Sequence, residues 1–165
     1  MKTKYLTLFF LALTLNISCS KRNNYLYVVK ITDGDTFVGL NTNKEHIKIR
    51  IASIDAPEKG QPYGSASKKA LADMIFNKEV KIEIQDIDKY GRTIAKVYTP
   101  DNKDVSAEML KKGYAWHFVK YSNSTYYSEL ETNARTLRCG LWQSSNPIPP
   151  WQWRKMSKEE RNMYR

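Results

Sequence analysis

The sequence predicts an α+β fold that is mainly a β-barrel, with five strands and three helices. Five short runs rich in β-branched and aromatic residues are separated by turn-forming residues, which is typical of a small barrel. Three other stretches have helical composition, and the first of them lies between the third and fourth strands. The length of 165 residues and the hydrophobic content of 41% are sufficient for one packed domain.

The first three strands are expected between residues 25 and 51. Residues 25–31 form a β-branched and aromatic run, and the Asp33-Gly34 dipeptide after it favours a hairpin. Residues 36–40 return as the second strand. Residues 46–51 alternate strictly, so that three isoleucines share one face and the basic residues, including Arg50, share the other.

The remaining elements alternate between helix and strand. Residues 65–77 place small and apolar side chains at helical spacing, and residues 80–85 and 93–98 predict the last two strands. A short helix is expected from the cap Asp104, and a third helix follows it over residues 124–138. Five short strands with an inserted helix are compatible with an OB-fold barrel.

The two ends of the chain are expected to lie outside this barrel. Pro147, Pro149 and Pro150 are expected to exclude regular structure, and residues 154–165 to form a polar tail that is either frayed or a loose helix. At the start, residues 1–18 combine two lysines with an apolar stretch that is short for a membrane span. They predict a signal peptide and therefore an exported protein.

Cys19 follows the signal directly, after the small residue Ser18. This junction resembles a bacterial lipoprotein signal, in which the cysteine becomes lipidated and anchors the protein to a membrane. Simple secretion fits the same segment, so both destinations stay open. Residues 19–24 are expected to be a short tether before the folded domain.

The charge of the chain favours polyanionic partners. The formal net charge is +10, and the chain without its first 18 residues still carries 25 basic against 17 acidic residues. Nucleic acid and an anionic membrane surface are the two partner classes that this excess favours.

A small set of charged residues at strand ends and turns has the chemistry that phosphodiester hydrolysis needs. A hard divalent cation neutralises the phosphate and prefers oxygen ligands, which Asp35 and Asp55 can supply. A further carboxylate, Glu58, can orient or deprotonate the attacking water. The guanidinium groups of Arg50 and Arg92 can hold the phosphate oxygens in bidentate fashion.

Other hydrolytic chemistries find less support in the sequence. It contains no glycine-rich phosphate loop, no cluster of Cys and His for zinc, and no Gly-x-Ser-x-Gly elbow. A ribonuclease mechanism with two histidines, His46 and His117, is conceivable, although lone histidines are more often structural or exposed.

Three segments together resemble the signature of the staphylococcal nuclease (thermonuclease) family. Their order and spacing also match, and similarity continues through residues 140–142 and 146–151, so that it covers about residues 25–153. The three segments are Ile31-Thr32-Asp33-Gly34-Asp35-Thr36, Arg50-Ile51-Ala52-Ser53-Ile54-Asp55-Ala56-Pro57-Glu58 and Asp88-Lys89-Tyr90-Gly91-Arg92.

This resemblance implies a five-stranded OB-fold barrel with three helices and a calcium-dependent nuclease that cuts DNA and RNA. It implies products with 3′-phosphate ends and a preference for single-stranded regions. The implied roles are Ca²⁺ binding by Asp35, Asp55 and the carbonyl of Ala56, general base catalysis by Glu58, phosphate binding by Arg50 and Arg92, and substrate binding by Lys89, Tyr90 and Tyr121.

Three features depart from the family pattern, and one alternative function stays open. Ala56 replaces a common threonine, the loop of residues 58–64 is shorter than in the family's best-known member, and Val119 stands where a nucleotide-stacking tyrosine is expected. The alternative is a non-catalytic OB-fold module that binds nucleic acid at the cell surface. The retained carboxylates favour the enzyme, which we expect to be a monomer.

Overall fold

The computed structural model describes residues 24–164. In this part of the chain, five strands form a closed barrel in the order β1-β2-β3-β6-β5, and β5 pairs with β1 to close it. The prediction of an α+β protein built on a five-stranded barrel is confirmed. The predicted signal peptide of residues 1–18, the lipidation site Cys19 and most of the tether lie outside the described residues.

The strands and helices follow one another along the chain with short connections. The strands are β1 Tyr25–Ile31, β2 Thr36–Leu40, β3 His46–Ile51, β4 Ile54–Asp55, β5 Glu79–Ile87, β6 Thr93–Tyr98 and β7 Trp116–His117. The helices are α1 Gly64–Ile75, α2 Val105–Lys111, α3 Thr125–Thr136, α4 Pro150–Trp153 and α5 Lys158–Asn162, with a 3₁₀ turn at Gly140–Gln143. The three predicted helices correspond to α1, α2 and α3.

The core fills the barrel and continues beneath α1 and α2. On β3, Ile49 and Ile51 are buried, whereas Lys48 is exposed and Arg50 is only partly buried, so the predicted alternation gives the correct faces. Helix α1 contributes the fully buried Leu71 and Ile75 to the same cluster. Burying a side chain of this kind contributes about 1.5–3 kcal/mol.

Strand β3 has a different kind of neighbour on each side. It pairs with β2 in antiparallel register, with Arg50 opposite Thr36, and with β6 in parallel register, with Arg50 beside Ile94. This arrangement brings the end of β3, the start of β2 and the start of β6 to the same rim of the barrel.

Side-chain caps fix the two helices that follow the barrel. Asp104 accepts a hydrogen bond from the backbone N–H of Ala107 at the start of α2, as predicted. Its second oxygen accepts a hydrogen bond from the hydroxyl of Tyr127 on α3, over 2.6 Å. One carboxylate therefore caps α2 and connects it to α3.

The C-terminal segment contains more regular structure than its prolines suggested. The expectation that Pro150 excludes regular structure is wrong, because Pro150 is the first residue of α4. A proline is tolerated there because the first N–H groups of a helix have no intrahelical acceptor. Helix α5 follows within the predicted polar tail, and a capping box of Ser157 and Glu160 begins it.

No helix within residues 24–164 is both long enough and apolar enough to cross a membrane.

Candidate active site

Two aspartates and an arginine form the centre of the candidate site. Nη2 of Arg50 lies 3.2 Å from Oδ2 of Asp35 and 2.9 Å from Oδ1 of Asp55. The Asp55 side chain is 1% exposed and that of Arg50 is 12% exposed. The two carboxylates therefore converge on one nitrogen in a largely dry environment.

Asp35 is held in place by the turn between β1 and β2. Its Oδ2 accepts a hydrogen bond from the backbone N–H of Ala56 over 2.7 Å, and its Oδ1 accepts one from the hydroxyl of Thr36. Its backbone carbonyl accepts a hydrogen bond from the N–H of Ile51. These bonds connect the start of β2 to the end of β3 and to the residue that follows Asp55.

Asp55 is positioned by the two-residue strands β4 and β7. It pairs with Trp116, whose ring stands edge-on to Trp142. The Arg135 guanidinium of α3 lies 4.6 Å from the Trp116 ring centre and 3.7 Å from that of Trp142. Cation–π contacts of this kind stabilise by about 0.5–2 kcal/mol, so α3 supports the strand opposite Asp55.

Glu58 and Arg154 extend the cluster towards solvent. Nη1 of Arg154 lies 2.6 Å from Oε1 of Glu58, and Nη2 lies 2.6 Å from Oδ2 of Asp55. The Glu58 side chain is 35% exposed, so solvent reaches the carboxylate predicted to act on water. The cluster thus contains three carboxylates and two guanidinium groups.

Arg154 was missed by the sequence analysis, which assigned it to the polar tail. It follows α4 and lies 99 residues from Asp55 along the chain, so no local pattern connects the two. The one available signal was the Pro149-Pro150 pair, because a proline at the first helical position can begin a short helix, and Arg154 caps the end of that helix.

Arg92 lies just before β6, the parallel neighbour of β3, and it pairs with Asp88. It precedes Thr93, which pairs with Ile49, so its backbone lies next to the β3 strand that carries Arg50. Its Nε donates a hydrogen bond to Oδ2 of Asp88 over 2.7 Å. The structure places Arg92 at the same rim without a contact that joins it to the carboxylate cluster.

The three predicted substrate-binding residues lie on exposed loops. Tyr90 is 72% exposed, and both Nζ of Lys89 and the guanidinium of Arg92 lie within 6 Å of its ring centre. Tyr121 is also exposed and stands edge-on to Phe118. Lys89, Tyr90 and Arg92 thus form one group, and Tyr121 belongs to the loop after β7.

Burial changes the proton affinity of two carboxyl groups at the site. Burial raises the pKa of Asp55 above its ordinary value, and the hydrogen bond from Arg154 offsets only part of that rise. Burial and the adjacent charge of Asp35 raise the pKa of Asp33 to about 7. Asp33 accepts a hydrogen bond from the backbone N–H of Asp35 and so lies directly behind the site.

The histidines do not favour the two-histidine mechanism. His46 is exposed at the start of β3. His117 is buried, and its two ring nitrogens lie 3.1 Å and 3.0 Å from the hydroxyls of Ser128 and Ser122. Burial lowers the pKa of His117, which favours a neutral ring that orders the loop after β7.

Comparison with known proteins identifies relatives of this chain. The model of the family described as staphylococcal nuclease homologue matches residues 48–144. An uncharacterized endonuclease from Haemophilus influenzae is 42% identical over 153 residues, which cover 93% of this chain and 85% of that protein. The chain belongs to the staphylococcal nuclease homologue family. A micrococcal nuclease from Shigella flexneri is 39% identical over 145 residues, covering 82% of this chain and 83% of that protein.

The donor chemistry of this staphylococcal nuclease homologue fits a hard cation. The described residues contain no group of three or more His, Cys, Asp or Glu side chains arranged to hold a metal ion. Asp35 and Asp55 nevertheless offer carboxylate oxygens that converge within reach of one atom, and neither sulfur nor imidazole is among the contacts of the cluster. Ca²⁺ takes six to eight oxygen ligands, so water or phosphate oxygens would complete such a site.

Proposed function

We propose that the protein is a calcium-dependent endonuclease that hydrolyses DNA and RNA and leaves 3′-phosphate ends. Its membership of the family and the names of its relatives support a nuclease. The observation that carries the assignment is the convergence of Asp35, Arg50 and Asp55, with Glu58 beside them at the solvent edge.

The charge of the cluster favours binding of an anionic substrate only when a cation is also bound. Three carboxylates against the guanidinium groups of Arg50 and Arg154 leave one net negative charge, which repels a phosphodiester. Asp35 and Asp55, with the carbonyl of Ala56, are the groups we expect to bind Ca²⁺. The bound ion would supply charge neutralisation and Lewis-acid polarisation of the phosphate.

The protein's own residues then have separate roles. Arg50 is fixed by two carboxylates and by the carbonyl of Ile51, so it presents its guanidinium with little loss of side-chain entropy. Arg92 approaches from the neighbouring strand end, and both arginines hold the equatorial oxygens as negative charge accumulates. Glu58 accepts a proton from the attacking water, or orients that water by a hydrogen bond.

The decisive experiment compares the wild-type protein with Glu58→Gln on a single-stranded oligonucleotide. We expect cleavage with millimolar Ca²⁺, none with chelator, and a loss of about 10²–10⁴ in turnover in the variant. Unfolding midpoints should agree closely, because the Glu58 carboxylate is partly exposed and its contact with Arg154 is near the surface.

The outcome also separates the enzyme from the alternative function. Retained binding of the strand without cleavage at millimolar Ca²⁺, by a folded protein, would favour a non-catalytic nucleic-acid-binding module. Lys89, Tyr90 and Tyr121 are the residues we expect to contact the substrate in either case. Their substitution should weaken binding more than it changes turnover at saturating substrate.

Export of the protein through the signal of residues 1–18 is a further part of this proposal. Lipidation at Cys19 would anchor the enzyme to a membrane, and simple secretion would release it. Incorporation of a labelled fatty acid by the wild-type protein but not by Cys19→Ser would support the anchor.

A further inference from the structure

The guanidinium group of Arg154 covers the carboxylate that the cation requires. Nη2 of Arg154 lies 2.6 Å from Oδ2 of Asp55, and Nη1 lies 3.2 Å from Oδ1. The same Oδ1 also accepts a hydrogen bond from Arg50 over 2.9 Å. Both oxygens of Asp55 are therefore bonded to guanidinium groups.

We propose that Arg154 is a resident counter-charge that competes with Ca²⁺ for Asp55, so that the ion binds only when this side chain moves away. This inference rests on the proposed function, because it takes Asp35 and Asp55 as the cation ligands. The competition is steric as well as electrostatic. Ca²⁺ bonds its ligands at 2.3–2.6 Å and needs an oxygen lone pair, and a bidentate guanidinium occupies the outward-facing pairs of a carboxylate.

Of the two arginines on Asp55, Arg154 is the one that can move. Its side chain is 43% exposed, whereas that of Arg50 is 12% exposed and also bonded to Asp35 and to the carbonyl of Ile51. The side-chain hydrogen bonds of Arg154 go to Asp55 and Glu58, both of which belong to the site itself. A rotation of this side chain towards solvent therefore breaks no hydrogen bond outside the site.

The backbone of Arg154 stays in place during such a rotation. Its N–H donates to the carbonyl of Pro150 at the end of α4, and its own carbonyl accepts a hydrogen bond from Nη2 of Arg161. Nε of Arg161 donates to the carbonyl of Trp153, which is 2% exposed. Helix α5 thus fixes the base of the Arg154 side chain, so the guanidinium can leave Asp55 and return to it.

The test is the calcium affinity of the purified full-length protein, measured by isothermal titration calorimetry without substrate. We expect Arg154→Ala and Arg154→Gln to bind Ca²⁺ at least about tenfold more tightly than the wild type. This is the effect of removing one unit charge roughly 5 Å from a divalent ion in a water-like dielectric. Arg154→Lys keeps the charge but loses the bidentate fork, so its affinity should lie between those of wild type and Arg154→Ala.

Lys155→Ala is the matched control. It removes one positive charge from the next position in the chain, where the side chain is exposed. We expect its calcium affinity to stay within about twofold of the wild type, because screened surface charges interact weakly. Circular dichroism of each variant establishes that the barrel is folded.

The possible results separate the inference from the function beneath it. Equal or weaker Ca²⁺ binding by both Arg154→Ala and Arg154→Gln, with a wild type that binds, would overturn the inference alone and make Arg154 a group that positions Asp55. Equal tightening by Lys155→Ala would also overturn it, since only the net charge would then matter. A folded wild type and folded variants that bind no Ca²⁺ would overturn both the inference and the calcium dependence.

Discussion

Asp33 and Asp35 are two neighbouring acids, one behind the candidate site and one within it, and their burial makes their charges interdependent. Asp35 has a guanidinium partner in Arg50, whereas the observed hydrogen bond of the Asp33 carboxylate is to the backbone N–H of Asp35. Burial and the charge of Asp35 raise the pKa of Asp33 to about 7. Ionised Asp33 therefore destabilises the folded protein at pH values above about 7.

Substitution of Asp33 by Asn should stabilise the protein at high pH. The unfolded chain releases this proton near pH 3.8 and the folded protein near pH 7, so the contribution of Asp33 to stability is lost as pH rises between these values. We expect the free energy of unfolding of Asp33→Asn to exceed that of the wild type by about 1–2 kcal/mol at pH 8 and to equal it below pH 4. This difference is smaller than the full pKa shift of Asp33 implies, because solvent screens a partly open site.

Urea unfolding of both proteins at pH 4 and pH 8, in the presence of chelator, measures this difference. The Asn side-chain oxygen can still accept the hydrogen bond from the N–H of Asp35, so the variant is closely isosteric. A gap between the two proteins that does not change with pH would contradict the assigned cause.

For charged residues that come from nearby segments, the sequence was sufficient to predict which side chains lie together. Asp35, Arg50 and Asp55 come together in the structure because each lies at the end of a predicted strand or in the turn beside it. The structure shows where these side chains lie, and the roles assigned to every predicted site residue stay predictions, including those of Arg92, Lys89, Tyr90 and Tyr121. The position of Arg154 depends on tertiary packing, in which Trp151 of α4 contacts Trp116 and Phe118, so the contact of Arg154 with Asp55 could not be predicted from local patterns.

The elements around the site are joined by contacts that leave little free space. The turn between β1 and β2 lies against α1, and Gly34 is the point of closest approach. A Cβ atom at Gly34 would lie 2.1 Å from Oγ of Ser67 and 2.7 Å from Cβ of Ala56. The hydroxyl of Ser67 cannot easily yield, because it is fully buried and donates to the carbonyl of Tyr114 over 2.6 Å.

Gly34→Ala should therefore destabilise the protein by about 2–3 kcal/mol, the cost of forcing a methyl group into a packed contact. Gly91→Ala is the control, since Gly91 has a positive φ of +75° but no atom within 4 Å of the added methyl. It should cost about 1 kcal/mol from backbone conformation alone. Chemical unfolding midpoints measure both, and a smaller loss for Gly34→Ala than for Gly91→Ala would show that α1 can move away from the turn.

Long elements could be predicted and short ones could not. Residues 46–51 and 93–98 were predicted with the bounds that the structure gives, because the alternation of a half-buried strand is visible in its residues. Strands β4 and β7 contain two residues each, too few for any alternation, and their pairing depends on the packing of Trp116 against α3. Both lie beside the site, so the least predictable elements are those that position Asp55.

Across the whole molecule, the excess of positive charge complements the proposed substrate. The 25 basic against 17 acidic residues that follow the proposed signal create a field that draws a polyanion towards the protein. Arg92, Lys89 and Lys120 lie on or beside the loops that carry Tyr90 and Tyr121. We therefore expect part of the binding free energy to come from counterion release.

Binding of a single-stranded oligonucleotide should weaken steeply with salt. Each neutralised phosphate contributes about −0.7 to the slope of log K against log salt, so about three contacts give a slope near −2. This corresponds to about 16-fold weaker binding at 200 mM than at 50 mM salt. Fluorescence anisotropy with Glu58→Gln, which should bind without cutting, measures the slope.

Adding Arg92→Ala in the same background tests the assignment of that side chain to phosphate. The slope should then become less negative by about 0.7, the contribution of one phosphate contact. An unchanged slope would show that Arg92 stays paired with Asp88 in the complex, and a slope near zero in the parent protein would argue against electrostatic binding of the strand.

The parallel pairing of β3 with β6 limits when the barrel can form as the chain is made. Ile49 cannot find its partner Thr93 until α1 and β5 have been synthesised, and contacts this distant in sequence form slowly. Before then, β3 has an open edge that can pair with another chain. The contact of Arg154 with Asp55 closes a still longer loop, so the native site is completed only after nearly the whole chain is available. A truncated or stalled chain would consequently present an unprotected strand without a finished site.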